Sequence, residues 1–297
     1  MLVVCMGDGL GNQMFQYAFY KALEKNYPDN KIMMDIFRIY GGNIHNGFEL
    51  EKVFGIKVNE CSKRVAFQLS DYYPLYKKRY WFINKIHGIR RYLVGKKKSF
   101  IIQDDPTAFY DEVFKLSKLN SYMFKGNWVN ENYFKNIEEI LRKDFTFPEF
   151  KDQRNIQYSR DMLNTTSVSV HIRKGDYLST DMINLDIKYY IDAKNIIENN
   201  IENPKYYIFT DDKNAISEYL KIFPNYVLVE GNSKENSYCD MQLMTCCKHN
   251  IIANSTFSFW GAYLNSNKDK IVIAPSKAKK DFRHPFACEN WQIVNID

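Results

Sequence analysis

Residues 167–178 read SVSVHIRKGDYL, in which small and β-branched residues lead into His171, Arg173, Lys174 and Asp176. Strand alternation puts His171 and Arg173 on one face and Val170 and Ile172 on the other. An arginine at a strand end suits a diphosphate, because its planar fork makes two parallel charge-assisted hydrogen bonds. Each such bond is worth roughly 1.5–3 kcal/mol net, so a single arginine can dominate stabilisation of a phosphate leaving group. The plainer alternative is a surface ion pair between Arg173 and Asp176.

Three further loops also follow strand-like runs: GDGLGNQ from Gly7, TDD from Thr210 and NSTFS from Asn254. Together with HIRKGD they describe an anion site. Gly9 and Gly11 let the backbone approach a ligand, and Ser255, Thr256 and Ser258 set hydroxyls at a helix start, where free N–H groups favour phosphate. Each loop also has an ordinary role. GDGLGNQ lacks the last glycine of GxGxxG and the GK[ST] of a P-loop, and reads equally as a strand-to-helix turn needing positive φ at Gly9 and Gly11. Asn12 either caps the helix or reaches toward a ligand. Ser255, Thr256 and Ser258 are common N-cap types, and one of Asp211 and Asp212 is expected to cap a helix. Adjacent carboxylates diverge, so no metal is expected at TDD. Asp240, in SYCDMQLMTCC, faces either the sheet edge or solvent.

Periodicity supplies the elements that must carry these loops. LVVCM reads as a buried strand and QMFQYAFYKALEKNY as an amphipathic helix, with Met14, Ala18 and Ala22 on one line and Phe15, Phe19 and Leu23 on the next. KIMMD reads as a second strand. This βαβ opening predicts a parallel sheet with ligand groups at the carboxyl ends of its strands. SYMFKGNW reads as a strand and ENYFKNIEEILRKDF as a helix that closes this half. The stretch from Phe145 to Met162 carries Pro148, charge and little periodicity, which suits a connection between domains. A second alternating series follows, with SVSVHI, KYYIFT, YVLVE, IIANS and KIVIAP as strands, the last of them final. Between them lie helices, one capped by Asp186 and one by Asp211 or Asp212. The expectation is α/β: two Rossmann-like domains, residues 1–150 and 160–297, facing across a cleft.

The 297 residues, 45% apolar and 26% charged, with 22 Tyr and 21 Phe, describe a folded globular chain. The net charge of +6 is local, because Lys77 to Lys98 holds nine Lys or Arg and no acid, leaving the remainder net negative. That distribution argues against a nucleic-acid partner and points to contact with anionic lipid head groups or a lipid pyrophosphate, or else to a solvated insertion. The segment from about Cys61 to Phe100 is expected to form short helices on the first domain. The six cysteines show no CxxC pair and read as reduced thiols. MLVVCMGDGLGNQ has too short an apolar run for a signal peptide, so a cytoplasmic protein is expected, peripheral on the inner face of the membrane if the basic segment binds it.

GLGNQMFQYAFYKAL, SVHIRKGDY, FTDD and DMQLMTCCKHNIIANSTFSFWGAYLN resemble, in order, the motif series of bacterial α-1,2-fucosyltransferases, glycosyltransferase family eleven. Residues 48–100 carry little of the resemblance. It implies a GT-B fold and metal-independent, inverting transfer of L-fucose from GDP-β-L-fucose to a galactose 2-hydroxyl. The implied acceptor is an oligosaccharide, free or lipid-linked, of O-antigen or surface polysaccharide. Under the resemblance Arg173 binds the β-phosphate, His171 and Asp240 lie near the nucleoside, and Ser255, Thr256 and Ser258 contact phosphates through hydroxyls or helix-start amides. Asn12 faces sugar and acceptor, and Asp176 orients the cations. Lys174 is a donor-site candidate, either touching phosphate or supplying charge beside it, and stands where the family usually has a second arginine; Phe259 and Tyr263 stand where tryptophans are common. Asp181 and Asp35 are candidate general bases by position, although an exposed loop or cap role is the more ordinary reading of either. A fucosyltransferase of other regiochemistry or acting on protein shares this donor site; a nucleotide- or glycan-binding module predicts binding without turnover.

Overall fold

The computed structural model describes residues 1–37, 39, 46–71, 81–175 and 181–296, so Asp176 and the first cations of the basic segment lie outside the described residues. The chain forms two compact units, Met1–Thr146 and Phe147–Asp297.

The first unit holds strands β1 (Leu2–Cys5), β2 (Ile32–Asp35), β3 (Phe100–Ile102) and β4 (Tyr122–Lys125), all parallel, in the order β2-β1-β4-β3. Its helices are α1 (Leu10–Asn26), α2 (Glu49–Phe54), α3 (Lys63–Leu69), α4 (Trp81–Val94) and α5 (Glu138–Asp144). The helix expected over ENYFKNIEEILRKDF begins only at Glu138, after two short 3-10 turns. β1 is central, and its apolar LVVC sequence fits a strand covered on both faces. α1 packs Phe19 against Trp128, ring centroids 4.1 Å apart and nearly parallel. The glycines of GDGLGN do not take the left-handed conformation expected of them. Asp8 does, at φ 66, while Gly9 is the extended N-cap of α1 at φ −79 and Gly11 lies inside the helix. Gln16 then ties two loops together. Its Oε1 accepts from Gly7 N at 2.9 Å, and its Nε2 donates to Gly126 O and Asn127 Oδ1 just beyond β4.

The second unit holds β5 (Ser167–Ile172), β6 (Lys205–Thr210), β7 (Tyr226–Leu228), β8 (His249–Ile251), β9 (Val272–Pro275) and β10 (Gln292–Val294), a parallel sheet in the order β10-β9-β8-β5-β6-β7. KIVIAP is thus not the final strand. The helices are α6 (Gln153–Asn164), α7 (Ile187–Asn200), α8 (Ser217–Leu220), α9 (Tyr238–Cys246) and α10 (Thr256–Leu264). α6 occupies most of the stretch expected as a connection. Asp152 nucleates it by accepting from Arg154 N and Asn155 N, a local cap that outweighs the weak periodicity. Asp186 caps α7 as expected, accepting from Tyr189 N at 3.1 Å. From β5 the chain winds outward to β6 and β7, then returns to β8 and winds the other way. β5 and β8 therefore border the point where strand order reverses, and their carboxyl-end loops diverge to leave a crevice. Among the described residues all six cysteines are free thiols, and no helix is long and apolar enough to cross a membrane.

Candidate functional site

Ile172 and Thr210 are paired in register, so β5 and β6 end together and bring Arg173 and Asp211 side by side. The Asp211 carboxylate gathers the HIRKG turn. Oδ1 accepts from Lys174 N at 2.9 Å, and Oδ2 accepts from Gly175 N at 3.2 Å and pairs with Arg173 Nε at 3.2 Å. Both partners of the ion pair keep 24% of their side-chain surface exposed, so the guanidinium is oriented without being sealed off. A Cβ on Gly175 would stand 2.9 Å from Asp211 Oδ2, so a larger residue there would push the carboxylate from its place. Asp212, not Asp211, caps the following turn through Asn214 N and Ala215 N. The structure thus divides the adjacent acids, one to the helix and one to the arginine.

Of the two roles open to Lys174, phosphate contact or charge nearby, the structure shows its ammonium bonded within the second unit. Strand alternation sends it away from Arg173 and inward, where its Nζ donates to Asn184 Oδ1 at 2.6 Å, Leu185 O at 2.7 Å and Tyr219 Oη at 2.5 Å. All three ammonium donors are used, and the residue is 6% exposed. Burial lowers its pKa, with Asp186 opposing. Lys174→Met is expected to cost roughly 1.5–3 kcal/mol of stability, because a charged hydrogen-bonded centre is lost and its acceptors stay behind. GDP affinity is expected to stay within about threefold, since the ammonium lies in the interior. Urea unfolding and GDP titration check the pair of outcomes.

His171 is buried at 5% exposure, and no described residue bonds its Nδ1. Burial, and then the charge of Arg173, push its pKa far below the usual imidazole range, with Asp211 opposing, so the ring is neutral. Its ring centroid lies 6.0 Å from that of Phe257 in the first turn of α10, which joins the β5 loop to the β8 loop. At that turn Ser255 caps α10, its Oγ accepting from Phe257 N, and Ser258 Oγ bonds Ser255 O and Ala253 O. These two hydroxyls bond the helix start itself, which leaves the helix-start amides as the other route to phosphate. Thr256 is half-buried, and its hydroxyl makes no bond among the described residues. Asp240, in the first turn of α9, accepts from Asn232 Nδ2 at 2.8 Å, and Asn232 exchanges two hydrogen bonds with Asn155. Burial raises the Asp240 pKa to about 6, with the Asn232 bond and Lys213 opposing. Arg173, Asp211, Asp240 and Thr256 all follow the carboxyl ends of parallel strands and so share one edge of the sheet.

The first unit places its candidates at the corresponding edge of its own sheet. Asn12 N donates to Gly9 O in the first turn of α1, and its half-buried side chain makes no bond among the described residues. Asp35 ends β2 at 2% exposure and accepts from Phe37 N. Burial raises its pKa to about 6. The folded state therefore holds this proton more tightly than the unfolded chain, and stability falls as pH rises from about 4 through about 6, then levels. Asp35→Asn is expected to remove this slope, and with it roughly 2 kcal/mol of the pH 4 to pH 7 difference. Urea midpoints of both proteins across that range test it; a pH-independent gap between them would refute the buried acid. The other candidate base, Asp181, is 85% exposed and pairs with Lys279 at 3.1 Å.

Asp211 is the site residue that motif reading passed over. The signal was present, as an acid at the end of the strand that pairs with HIRKGD, but only register shows which of the two acids turns to it. Among the described residues no three His, Cys, Asp or Glu side chains cluster as a metal site.

The sequence matches the Glycosyl transferase family 11 description over residues 1–295. It is 30% identical over 289 residues to an alpha-1,2-colitosyltransferase of Escherichia coli, covering 93% of this chain and 91% of that protein. It is 29% identical to the O-antigen biosynthesis glycosyltransferase WbnK of the same species, covering 92% and 93%. The fold is similar to that of the fucosyltransferase NodZ from Bradyrhizobium, with a TM-score of 0.52 at 14% identity over 88% of this chain and 92% of that one. Two parallel-sheet α/β units of this kind make the architecture GT-B. An arginine held at a strand-order reversal is thus found in a chain that matches one enzyme family almost end to end, and this protein belongs to glycosyltransferase family 11.

Proposed function

We propose that the chain transfers L-fucose from GDP-β-L-fucose to the 2-hydroxyl of a galactose in an oligosaccharide, with inversion and without a metal, during assembly of O-antigen or a related surface polysaccharide. The observation that carries this reading is Arg173, held by Asp211 where strand order reverses. In the reaction the galactose O2 attacks the anomeric carbon, the bond from that carbon to the β-phosphate breaks, and the hydroxyl proton passes to a base. Charge then builds on the departing GDP, where a preorganised guanidinium is most effective. The N–H groups at the start of α10 and the Thr256 hydroxyl take further phosphate oxygens. His171 and Asp240 flank the nucleoside, Asp240 offering a carboxylate to the N–H edge of guanine. Asp176 assists in orienting the cations, and Gly9 at the N-cap and Gly11 in the first turn of α1 put no side chain between backbone and ligand. Asn12 handles the sugar and acceptor, so residues 1–150 serve the acceptor and 160–297 the donor. Asp181 and Asp35 are the base candidates.

A second reading of the donor follows from the colitosyltransferase relative. Colitose is fucose without its 3-hydroxyl, and a site that hydrogen-bonds that hydroxyl disfavours the deoxy sugar by up to about 10⁴-fold. Incubation with lactose and either GDP-fucose or GDP-colitose, in EDTA, tests both. GDP release with fucosyl-lactose formation is expected. Faster turnover of GDP-colitose reassigns the donor, loss of turnover in EDTA that excess magnesium or manganese restores overturns metal independence, and binding without turnover of either sugar overturns the enzyme reading.

A further inference from the structure

α4 turns its apolar side to solvent. Trp81 and Phe82 are each 64% exposed, Ile86 51%, Ile89 54%, Leu93 73% and Tyr92 90%. At 100° per residue these six side chains fall within an arc of about 140°. A helix packed on a soluble domain normally buries such a stripe. Here the attachment is made from outside the arc. Arg90 pairs at 3.3 Å with Asp71, which is 4% exposed, and Asp71 also accepts from Lys97 N just beyond the helix. The polar side therefore fastens the helix to the first unit while the apolar side stays open.

What would cover that side is set by charge. Lys85 lies within the arc, its Nζ 5.0 Å from the Trp81 ring, and Arg91, Lys96 and Lys98 are exposed around it. With nine cations and no acid between Lys77 and Lys98, the partner must be anionic. A second copy meeting the same face would bring like charge against like. A nucleic acid offers anions but no apolar phase for Ile86, Ile89 and Leu93. An anionic bilayer offers both, with phosphates at the level of the cations and acyl chains beneath, and Trp and Tyr suit the boundary between them.

We propose that α4 is an interfacial helix that lays its Trp81–Leu93 face into the surface of an anionic phospholipid membrane. The inference stands apart from the donor assignment and goes beyond it.

The test is co-sedimentation of the full chain with phosphatidylglycerol/phosphatidylcholine vesicles and with phosphatidylcholine alone. Binding is expected to be at least about tenfold tighter to the anionic vesicles and to weaken with salt. Phe82→Glu with Ile89→Glu is expected to reduce it at least about tenfold, because two carboxylates cannot enter the acyl region. Both positions are exposed, so thermal unfolding and GDP release with a soluble acceptor should be unchanged. Equal binding to neutral vesicles, or no binding to either, overturns the proposal. So does light scattering that shows a dimer dispersed by the same two substitutions, since the face would then belong to a second copy.

Discussion

Arg173→Ala is expected to lower turnover by about 10³-fold, within the range found for cations that meet developing phosphate charge. The folded state should survive. The Arg173–Asp211 pair is 24% exposed on both sides, and a partly screened pair of this kind contributes about 1 kcal/mol or less. Arg173→Lys keeps the charge but not the planar fork, and should recover only part of the loss. GDP release with GDP-fucose and lactose gives the rate, and thermal unfolding reports the fold. A folded Arg173→Ala protein that turns over within tenfold of the wild type would remove Arg173 from the chemistry.

Asp211→Asn is expected to reduce kcat by about 10- to 100-fold, the loss that one charge-assisted hydrogen bond of roughly 1.5–3 kcal/mol implies. The amide loses the charge and keeps one acceptor oxygen: placed at Oδ2 it serves Gly175 N and Arg173 Nε but turns –NH2 on Lys174 N, and placed at Oδ1 it serves Lys174 N but turns –NH2 on the other two, where the carboxylate served all three donors. Asp211 acts here as a positioning residue, through Arg173. A double-mutant cycle separates that role from a merely structural one: in the Arg173→Ala background Asp211→Asn should cost no more than about threefold in kcat, because the group it positions is gone. Full additivity would mean that Asp211 acts by some other route. Gly175→Ala should resemble Asp211→Asn in direction, since its Cβ would press on Oδ2 from 2.9 Å.

Much of the α/β order was open to sequence reading because each strand announces itself over a few residues. SVSVHI, KYYIFT and KIVIAP are each rich in β-branched or aromatic residues, the composition that suits strands covered on both faces. The failures have local physical causes. β3 follows a basic, polar segment, and β10 has two exposed residues among its three, so neither carries the buried pattern that marks a strand. α6 was hidden because its one strong signal, the Asp152 cap, sits in a stretch otherwise dominated by Pro148 and charge. In GDGLGN, composition pointed to the glycines for positive φ, yet Asp8 takes it. Aspartate tolerates that region well enough for the turn to choose it.

The sequence by itself determined the chemistry at hand: an arginine and a histidine on one face of a strand end, hydroxyls at a helix start, and a motif series shared with one enzyme family. Tertiary structure decided what each group is free to do. Lys174 carries the same charge as Arg173 and sits beside it in the chain, but strand alternation and the acceptors at Asn184, Leu185 and Tyr219 draw its ammonium inward. Asp211 and Asp212 are chemically identical, and only the register of β5 against β6 gives one to the arginine and the other to the helix. Residue type fixes which bonds a side chain can make, whereas which of them it does make depends on partners distant in sequence, and those are set only when the sheet closes.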